Sequence, residues 1–217
     1  MSSRGLFITI EGGEGVGKST NITALEQYLR NNDIPLVMTR EPGGTPLGEG
    51  VRELLLQTGE APVSTLTELM LVFAARAQHI AEVIEPALAR GDWVISDRFT
   101  DATYAYQGGG RGLDLAVIRQ LENLVQGALR PDLTILLDVT VEIGMERARG
   151  RGELDRIEQE DLAFFERVRS TYLELASNGG GRYRVVDASQ PLEDVERDVL
   201  RIGEELLACR ATHGVRG

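Results

Sequence analysis

Hydrophobic and polar positions along the chain follow two alternating patterns. Short apolar runs rich in β-branched residues recur, and between them apolar residues return at every third or fourth position. The first pattern is typical of buried strands and the second of amphipathic helices. Strands separated by helices predict an α/β fold, with a parallel sheet, right-handed crossovers and helices on both faces.

The apolar runs predict strands at residues 6–10, 35–39, 93–96, 133–139 and 183–186. Apolar residues recur at helical spacing after Ser19, around Val51 and Leu55, and again from near residues 115, 143, 162 and 192. A long apolar helix is predicted over 66–90. Pro86 falls within it and is expected to kink or divide it, because proline lacks the N–H of a helical hydrogen bond.

A glycine-rich segment joins the first strand to the first helix. Residues 12–19 read Gly-Gly-Glu-Gly-Val-Gly-Lys-Ser and fit the G-x-x-x-x-G-K-[ST] pattern of phosphate-binding loops. Backbone N–H groups and the positive end of a helix dipole surround an anion in such a loop. Lys18, the only lysine in 217 residues, is predicted to hold the transferring phosphoryl group, and the Ser19 hydroxyl to ligate Mg²⁺.

Charged residues also follow the third predicted strand. Ligands of open parallel sheets bind beyond the carboxyl ends of the strands, and Asp97 and Arg98 lie at such an end. The Asp97 carboxylate can hold a metal-bound water, and the Arg98 guanidinium can grip a second phosphate. The alternative is an ion pair at a strand end, but the neighbouring phosphate loop favours a functional role.

Four arginines lie close together, within residues 147–156, in a chain whose net charge is −11. They are Arg147, Arg149, Arg151 and Arg156. Glycines at 150 and 152 make the segment flexible, so residues 147–158 are predicted to form a lid that closes over anions. The alternative is a solvated helix face in which neighbouring acidic residues balance the arginines.

Aromatic and amide side chains mix with three glycines at residues 103–111. Such side chains suit a planar base and a sugar, although Tyr104 and Tyr106 also fit ordinary helix packing. Spacing alone places Phe73 in the core.

The overall composition limits the range of possible functions. An acidic chain with a pI of about 4.8 lacks the basic surface that nucleic acids or anionic membranes require. The single Cys209 excludes an intramolecular disulfide, and two distant histidines suggest no metal pair. No apolar run reaches the length of a membrane span, and the N-terminus leads directly into the first strand. We therefore expect one cytoplasmic domain over residues 1–217.

Taken together, these motifs closely resemble the bacterial thymidylate kinase family of P-loop nucleoside monophosphate kinases. The resemblance covers residues 7–198, and its markers are residues 11–20, 39–45, 97–99, 105–111 and 151–156. It implies a five-stranded parallel sheet, a homodimer, ATP with Mg²⁺, and conversion of dTMP to dTDP.

The resemblance also implies residue roles. Arg98 corresponds to the residue that grips the acceptor phosphate, and Glu14 to the acid near the deoxyribose 3′-hydroxyl. With Glu14 in the loop and Arg151 in the lid, the chain resembles the branch of the family whose catalytic arginine lies in the lid. The catalytic residues implied are therefore Lys18, Arg98 and Arg151. The nucleotide-binding residues implied are Gly12, Gly13, Glu14, Gly15, Val16, Gly17, Lys18, Ser19, Thr20, Arg147 and Arg149.

The substrate-binding residues implied are Glu14, Glu41, Pro42, Arg52, Phe73, Arg76, Arg98, Thr103, Tyr106 and Gln107. Thr103 and Gln107 match positions facing thymine, Arg76 matches the cation at its carbonyl edge, and Tyr106 matches the ring that excludes a 2′-hydroxyl. Ser19 and Asp97 are the predicted metal-site residues, with Glu158 as a further candidate.

The chain departs from the family pattern at the base. The aromatic that stacks on thymine usually lies four residues before the arginine matching Arg76, where this chain has Val72. Either Phe73 turns into the pocket or Val72 covers the base. Ala102 also stands where a serine is frequent.

Three other functions share some of these features. A deoxynucleoside or guanylate kinase would share the phosphate loop, and a panel of acceptors would separate them. A GTP-binding switch needs an Asn-Lys-x-Asp run, which a chain with lysine only at position 18 cannot contain. A non-catalytic binding module would not need the clustered lid arginines.

Overall fold

The computed structural model describes residues 4–58, 63–150, 152 and 154–213. Its sheet has five parallel strands in the order β2-β3-β1-β4-β5. These strands are β1 (Phe7–Glu11), β2 (Leu36–Arg40), β3 (Trp93–Asp97), β4 (Leu133–Asp138) and β5 (Tyr183–Asp187). The predicted five-stranded parallel sheet is confirmed.

The helices follow the predicted pattern. They are α1 (Lys18–Asn31), α2 (Pro46–Leu56), α3 (Thr65–His79), α4 (Glu85–Arg90), α5 (Thr100–Thr103), α6 (Leu115–Gln126), α7 (Val141–Arg149), α8 (Leu162–Asn178) and α9 (Leu192–His213). Several helices begin at a residue whose side chain caps the first turn. In α2 the Thr45 hydroxyl accepts a hydrogen bond from the Gly48 amide at 3.0 Å, and Pro46 occupies the first turn. No helix among the described residues is long and apolar enough to cross a membrane.

Successive strand residues point to opposite faces of the sheet, and nearly all residues of the three central strands β1, β3 and β4 are buried, so both faces are covered there. Ile8 and Ile10 of β1 pack in one cluster with Leu25 of α1 and Val199 of α9. Phe7 lies in another cluster, which includes residues of α4 and the segment before it. The expected helices on both faces are therefore present.

The long helix predicted over 66–90 is interrupted where proline was expected to disturb it. A π-helical segment, Ile80–Ile84, joins α3 to α4. Pro86 cannot donate a hydrogen bond to the carbonyl of Glu82, and the wider turn immediately before it accommodates that loss. A second π-helical segment, Tyr104–Gly110, continues α5.

The strand order brings the predicted chemistry together. β1 lies between β3 and β4, and Ile10 pairs in register with Asp97, which itself pairs with Arg40 of β2. The phosphate loop after β1 therefore lies beside the charged ends of β2 and β3, at the edge where open α/β sheets bind ligands.

Candidate active site

The loop between β1 and α1 has the backbone of a phosphate-binding loop. Gly12 and Gly17 have φ angles of 142° and 85°, in a region that residues with a β-carbon rarely adopt. Gly17 directly precedes the first residue of α1, so the amides of the first helical turn follow the loop. Loop and helix together are suited to an anion.

Lys18 is held at this loop. Its ammonium donates hydrogen bonds to the carbonyl oxygens of Gly12 at 3.1 Å and Gly13 at 2.7 Å. Burial lowers the pKa of Lys18 to about 8, and the positive charge of Arg98 acts in the same direction. Bound phosphates are anionic and would stabilise the charged ammonium against both effects. The position of Lys18 therefore favours binding of a polyphosphate.

The residues predicted for a metal fit Mg²⁺. Asp97 Oδ1 is buried and has no hydrogen-bond partner within the described part of the chain, so an oxygen remains for a metal-bound water. Ser19 and Thr20 are exposed on the first turn of α1. No group of three or more His, Cys, Asp or Glu that could hold a metal occurs among the described residues. Mg²⁺ is commonly bound by few protein ligands together with waters and phosphate oxygens.

Arg98 links the phosphate loop to a neighbouring cleft. Its backbone has a φ of 70°, and its guanidinium donates to the Gly12 carbonyl oxygen at 3.0 Å and to Glu14 Oε1 at 2.7 Å. The Tyr106 hydroxyl donates to the same Glu14 oxygen at 2.7 Å, and the guanidinium lies 4.8 Å from the Tyr106 ring centroid. Arg98, Glu14 and Tyr106 thus form one connected unit.

Beneath this unit lies Glu11, which sequence reasoning did not assign. Its carboxylate accepts hydrogen bonds from the Phe99 amide at 2.7 Å and the Tyr172 hydroxyl at 2.8 Å. Burial and the charge of Asp101 raise the pKa of Glu11 to about 8, against the opposing charge of Arg98. In the sequence it was part of the family marker of residues 11–20, at the end of the first strand, but that marker gave it no role.

A cleft beside the phosphate loop gathers the predicted substrate residues. It is partly open to solvent, and its empty space, open solvent included, amounts to about 740 Å³. Nine of the ten predicted residues line it: Glu14, Glu41, Pro42, Arg52, Arg76, Arg98, Thr103, Tyr106 and Gln107. Arg52 also donates to the Pro42 carbonyl oxygen at 3.1 Å.

Arg76 lies in the cleft wall within a buried network. It is 1% exposed, and its Nε donates to Glu41 Oε2 at 2.7 Å while Nη2 donates to the Thr103 hydroxyl at 2.9 Å. His79 Nδ1 lies 2.8 Å from the other Glu41 oxygen. Nη1 of Arg76 has no hydrogen-bond partner among the described residues, which suits it to receive a ligand oxygen.

The exception among the predicted substrate residues is Phe73. Its ring is buried with Leu69 and Ile118 and lies 4.9 Å from the Arg76 guanidinium, away from the cleft. Val72 lines the cleft instead. The resemblance implied a substrate contact for Phe73, whereas the structure places its ring in the core and outside the cleft lining: adjacent helical residues point about 100° apart, and the core takes the larger ring.

The predicted lid is only partly described. Arg151 lies outside the described residues. Arg147 and Arg149 are exposed at the end of α7, where Arg147 donates to the Ala188 carbonyl oxygen at 2.9 Å. Asp155 and Ile157 line the cleft, so this part of the predicted lid forms one of its walls.

Arg156 anchors that wall. Its guanidinium donates to the Leu55 carbonyl oxygen at 2.7 Å and to Glu68 at 2.7 Å, and its amide donates to the Leu56 carbonyl oxygen at 3.2 Å. Sequence reasoning missed Glu68, because this acid, the only one in α3, belongs to no motif.

A parallel sheet with a phosphate loop after its central strand, and an arginine-lined cleft beside that loop, defines a P-loop nucleoside monophosphate kinase. Comparison with known proteins identifies the family. The thymidylate kinase family profile matches residues 10–199. The chain is 60% identical over 206 residues to a thymidylate kinase of Pseudomonas savastanoi, covering 95% of this chain and 98% of that protein.

A thymidylate kinase of Teredinibacter turnerae is 57% identical, covering 94% of this chain and 99% of that protein. The crystal structure of a thymidylate kinase from Ehrlichia chaffeensis is similar with a TM-score of 0.73 at 34% identity, covering 92% of this chain and 98% of that one. The chain belongs to the thymidylate kinase family.

Proposed function

We propose that this protein transfers the γ-phosphoryl group of ATP to dTMP, giving dTDP and ADP. Membership of the thymidylate kinase family supports the reaction. The observation that carries the residue assignments is the cleft itself, which begins at Glu14 in the phosphate loop and includes Arg76, Thr103 and Gln107 in its walls. A nucleoside monophosphate can place its phosphate near Arg98 and its base among those residues.

The donor site is the loop of residues 12–20. Lys18 supplies a compact positive charge at the phosphates, and Ser19 and Asp97 would hold Mg²⁺, which when bound neutralises charge on the phosphate oxygens. Arg147 and Arg149 are proposed to meet the nucleotide from the lid.

The acceptor site needs alignment more than a strong base. The phosphate of dTMP is largely a dianion at neutral pH and is already nucleophilic, so catalysis rests on holding two phosphates in line and cancelling charge between them. Arg98 and Arg52 are the cations that line the cleft near the loop. Glu14 is proposed to face the sugar, with Tyr106 closing the space beside it.

The lid is proposed to complete the site within a single kinase domain that spans residues 1–217. When closed it would keep water from intercepting the phosphoryl group. Arg151 is proposed to meet the γ-phosphate as it transfers, so Arg151→Ala should lower kcat by roughly 10²–10⁴ with little change in the KM for dTMP. A raised KM with an unchanged kcat would move the catalytic role to Arg147 or Arg149.

We also propose a cytoplasmic homodimer without nucleic-acid or membrane partners. The exposed apolar side chains of Leu54, Leu66, Met70 and Leu124, on α2, α3 and α6, support a protein partner surface. Light scattering coupled to gel filtration should give twice the chain mass of 23.7 kDa. A mass of one chain at micromolar concentration would contradict the dimer.

A coupled assay tests the reaction. With ATP as donor, ADP release should be fastest with dTMP, lower with dUMP, and much lower with dCMP, dGMP and thymidine. A preference for dGMP would identify a guanylate kinase, and a preference for thymidine would identify a deoxynucleoside kinase. ATP loss independent of any acceptor would contradict a kinase altogether.

A further inference from the structure

Glu68 is a buried carboxylate in the wall of the cleft. It is 1% exposed and accepts a hydrogen bond from Gln107 Nε2 at 2.8 Å. Arg156 Nη2 donates to the other carboxylate oxygen, Oε2, at 2.7 Å, and Arg111 Nε donates to Oε1, the oxygen that Gln107 contacts, at 3.3 Å. Each of these three partners donates, so Glu68 serves only as an acceptor.

The same partners keep Glu68 ionised. Burial by itself would raise the pKa of this carboxyl group, but the hydrogen bonds from Gln107 and Arg156 and the charge of Arg111 outweigh it and lower the pKa below its usual value. At neutral pH the group is therefore a carboxylate, which has no proton to donate.

An ionised Glu68 dictates how the Gln107 amide is turned. The NH₂ end must face Glu68, because the reverse orientation would place the amide oxygen against a carboxylate oxygen. Gln107 lines the cleft, and no described residue is hydrogen-bonded to its Oε1. The amide therefore offers the cleft a carbonyl acceptor.

Arg76 offers the same cleft a donor. Its Nη1 is buried and has no partner among the described residues, and its Nη2 is tied to the Thr103 hydroxyl, one helical turn before Gln107. The cleft wall thus carries a donor from Arg76 and an acceptor from Gln107.

A pyrimidine with a 4-oxo group and an N3–H presents an acceptor and a donor, complementary to this pair. A 4-aminopyrimidine presents a donor and a bare ring nitrogen, the reverse pattern. We propose that Glu68 is a specificity-determining positioning residue: it fixes the Gln107 amide so that the pocket accepts 4-oxopyrimidine nucleotides and rejects 4-aminopyrimidine nucleotides. The inference rests on the proposed function, since it takes a pyrimidine monophosphate as the occupant.

Glu68→Gln tests the proposal. A glutamine at this position can donate or accept, so the Gln107 amide is free to reverse and to offer an N–H to the bare N3 of cytosine. The ratio of kcat/KM for dTMP to that for dCMP should fall by at least about tenfold, because an unpaired polar group no longer penalises the wrong base. The ratio of dTMP to dUMP should stay within about twofold, since both bases present the same edge.

Two variants separate this effect from damage to the surrounding cluster. Glu160→Gln removes the carboxylate that pairs with Arg111 without touching Gln107, and Arg156→Lys keeps a positive charge beside Glu68 while removing the guanidinium that also binds the Leu55 carbonyl oxygen. Both should leave the dTMP-to-dCMP ratio within about twofold of the native value, whatever they do to the absolute rates. An unchanged ratio in Glu68→Gln would overturn the proposal, as would an equal change in the dTMP-to-dUMP ratio.

A measurement on the native protein covers the case in which Glu68→Gln does not fold. In protein labelled with ¹⁵N-glutamine, the side-chain NH₂ signals of Gln107, assigned by their loss in Gln107→Leu, should exchange slowly with solvent without ligand. They should also move little when dTMP binds. Fast exchange would overturn the proposal, whereas native protein that turns over no dTMP would contradict the proposed function instead.

Discussion

The Gly15 and Gly144 backbones touch, and this contact joins the phosphate loop to the helix that leads into the predicted lid. A β-carbon on Gly15 would overlap the carbonyl oxygen of Gly144, and one on Gly144 would lie 2.5 Å from the carbonyl oxygen of Glu14. The loop therefore rests directly on α7, and neither glycine can gain a side chain without moving the other backbone.

Gly144→Ala should accordingly displace the phosphate loop from α7. Because a shift of about 1 Å in a positioning group can cost about 10²-fold in rate, we expect kcat/KM for ATP to fall by roughly that factor. Gly50→Ala is the matched control, since no described atom outside the local helix backbone lies within 4 Å of its added β-carbon and α2 continues through it. If both variants kept the native kcat/KM, the contact would not position the loop.

The pKa of Lys18 predicts how ATP affinity depends on pH. The pKa is about 8 in the described structure, and bound phosphates favour the charged ammonium, so binding raises it and takes up a proton. The affinity should be constant below pH 8 and weaken above it, by at most about tenfold per pH unit. Calorimetry from pH 6.5 to 9.5 measures this.

Lys18→Met is the control for that measurement. Its ATP affinity should be weaker and should not change through this pH range, and its kcat should fall by at least about 10²-fold. A native and a variant protein with the same pH slope would assign the titration to another group.

The contacts of Arg156 predict that this residue anchors the predicted lid. Arg156→Gln removes the ion pair with Glu68 and the hydrogen bond to the Leu55 carbonyl oxygen, so residues 154–160 should lose their anchor. Hydrogen exchange in this segment should accelerate by about tenfold or more, and kcat/KM for dTMP should fall.

Arg4→Gln is a suitable control for the lid variant, because it removes an arginine from an exposed ion pair with Glu85 at 2.9 Å. Exchange in residues 154–160 should not change in this variant. Equal protection of the segment in Arg156→Gln and native protein would show that other contacts hold the lid.

Substitutions at the neighbouring residues Val72 and Phe73 are expected to differ in their effects on substrate binding and on stability. Val72→Ala should raise the KM for dTMP by up to about tenfold, because a side chain that lines the cleft beside Arg76, where the base is proposed to lie, is shortened. Phe73→Leu should lower the free energy of unfolding by about 1–2 kcal/mol and change the KM by less than about threefold, because its ring is buried behind the cleft. The opposite pattern would place Phe73 at the base. Thermal unfolding and steady-state kinetics on both variants decide it.

Local patterns predicted much of the fold and of the candidate site. The strands, most helices and the disturbance near Pro86 follow from consecutive residues, because hydrophobic periodicity and the missing proline N–H act over a few positions. The phosphate loop is likewise a contiguous motif, so Gly12 to Ser19 could be recognised before any contact was known. The cleft residues came from the family resemblance, and all but Phe73 do line the cleft.

The tertiary structure decided which distant residues meet. Spacing placed Phe73 in the core and the family resemblance placed it at the substrate, and the two were separated only by the packing of α3, in which Leu69 and Ile118 surround the Phe73 ring and Val72 lines the cleft. Nor could any pattern place Glu68 against Gln107 and Arg156, 39 and 88 positions away, since that contact exists only when α3, the π-helical segment and the predicted lid pack together. Short-range sequence patterns determine the helices and strands of this protein. The hydrogen-bond donors and acceptors that line its cleft are instead brought together by contacts between elements that are far apart in the chain.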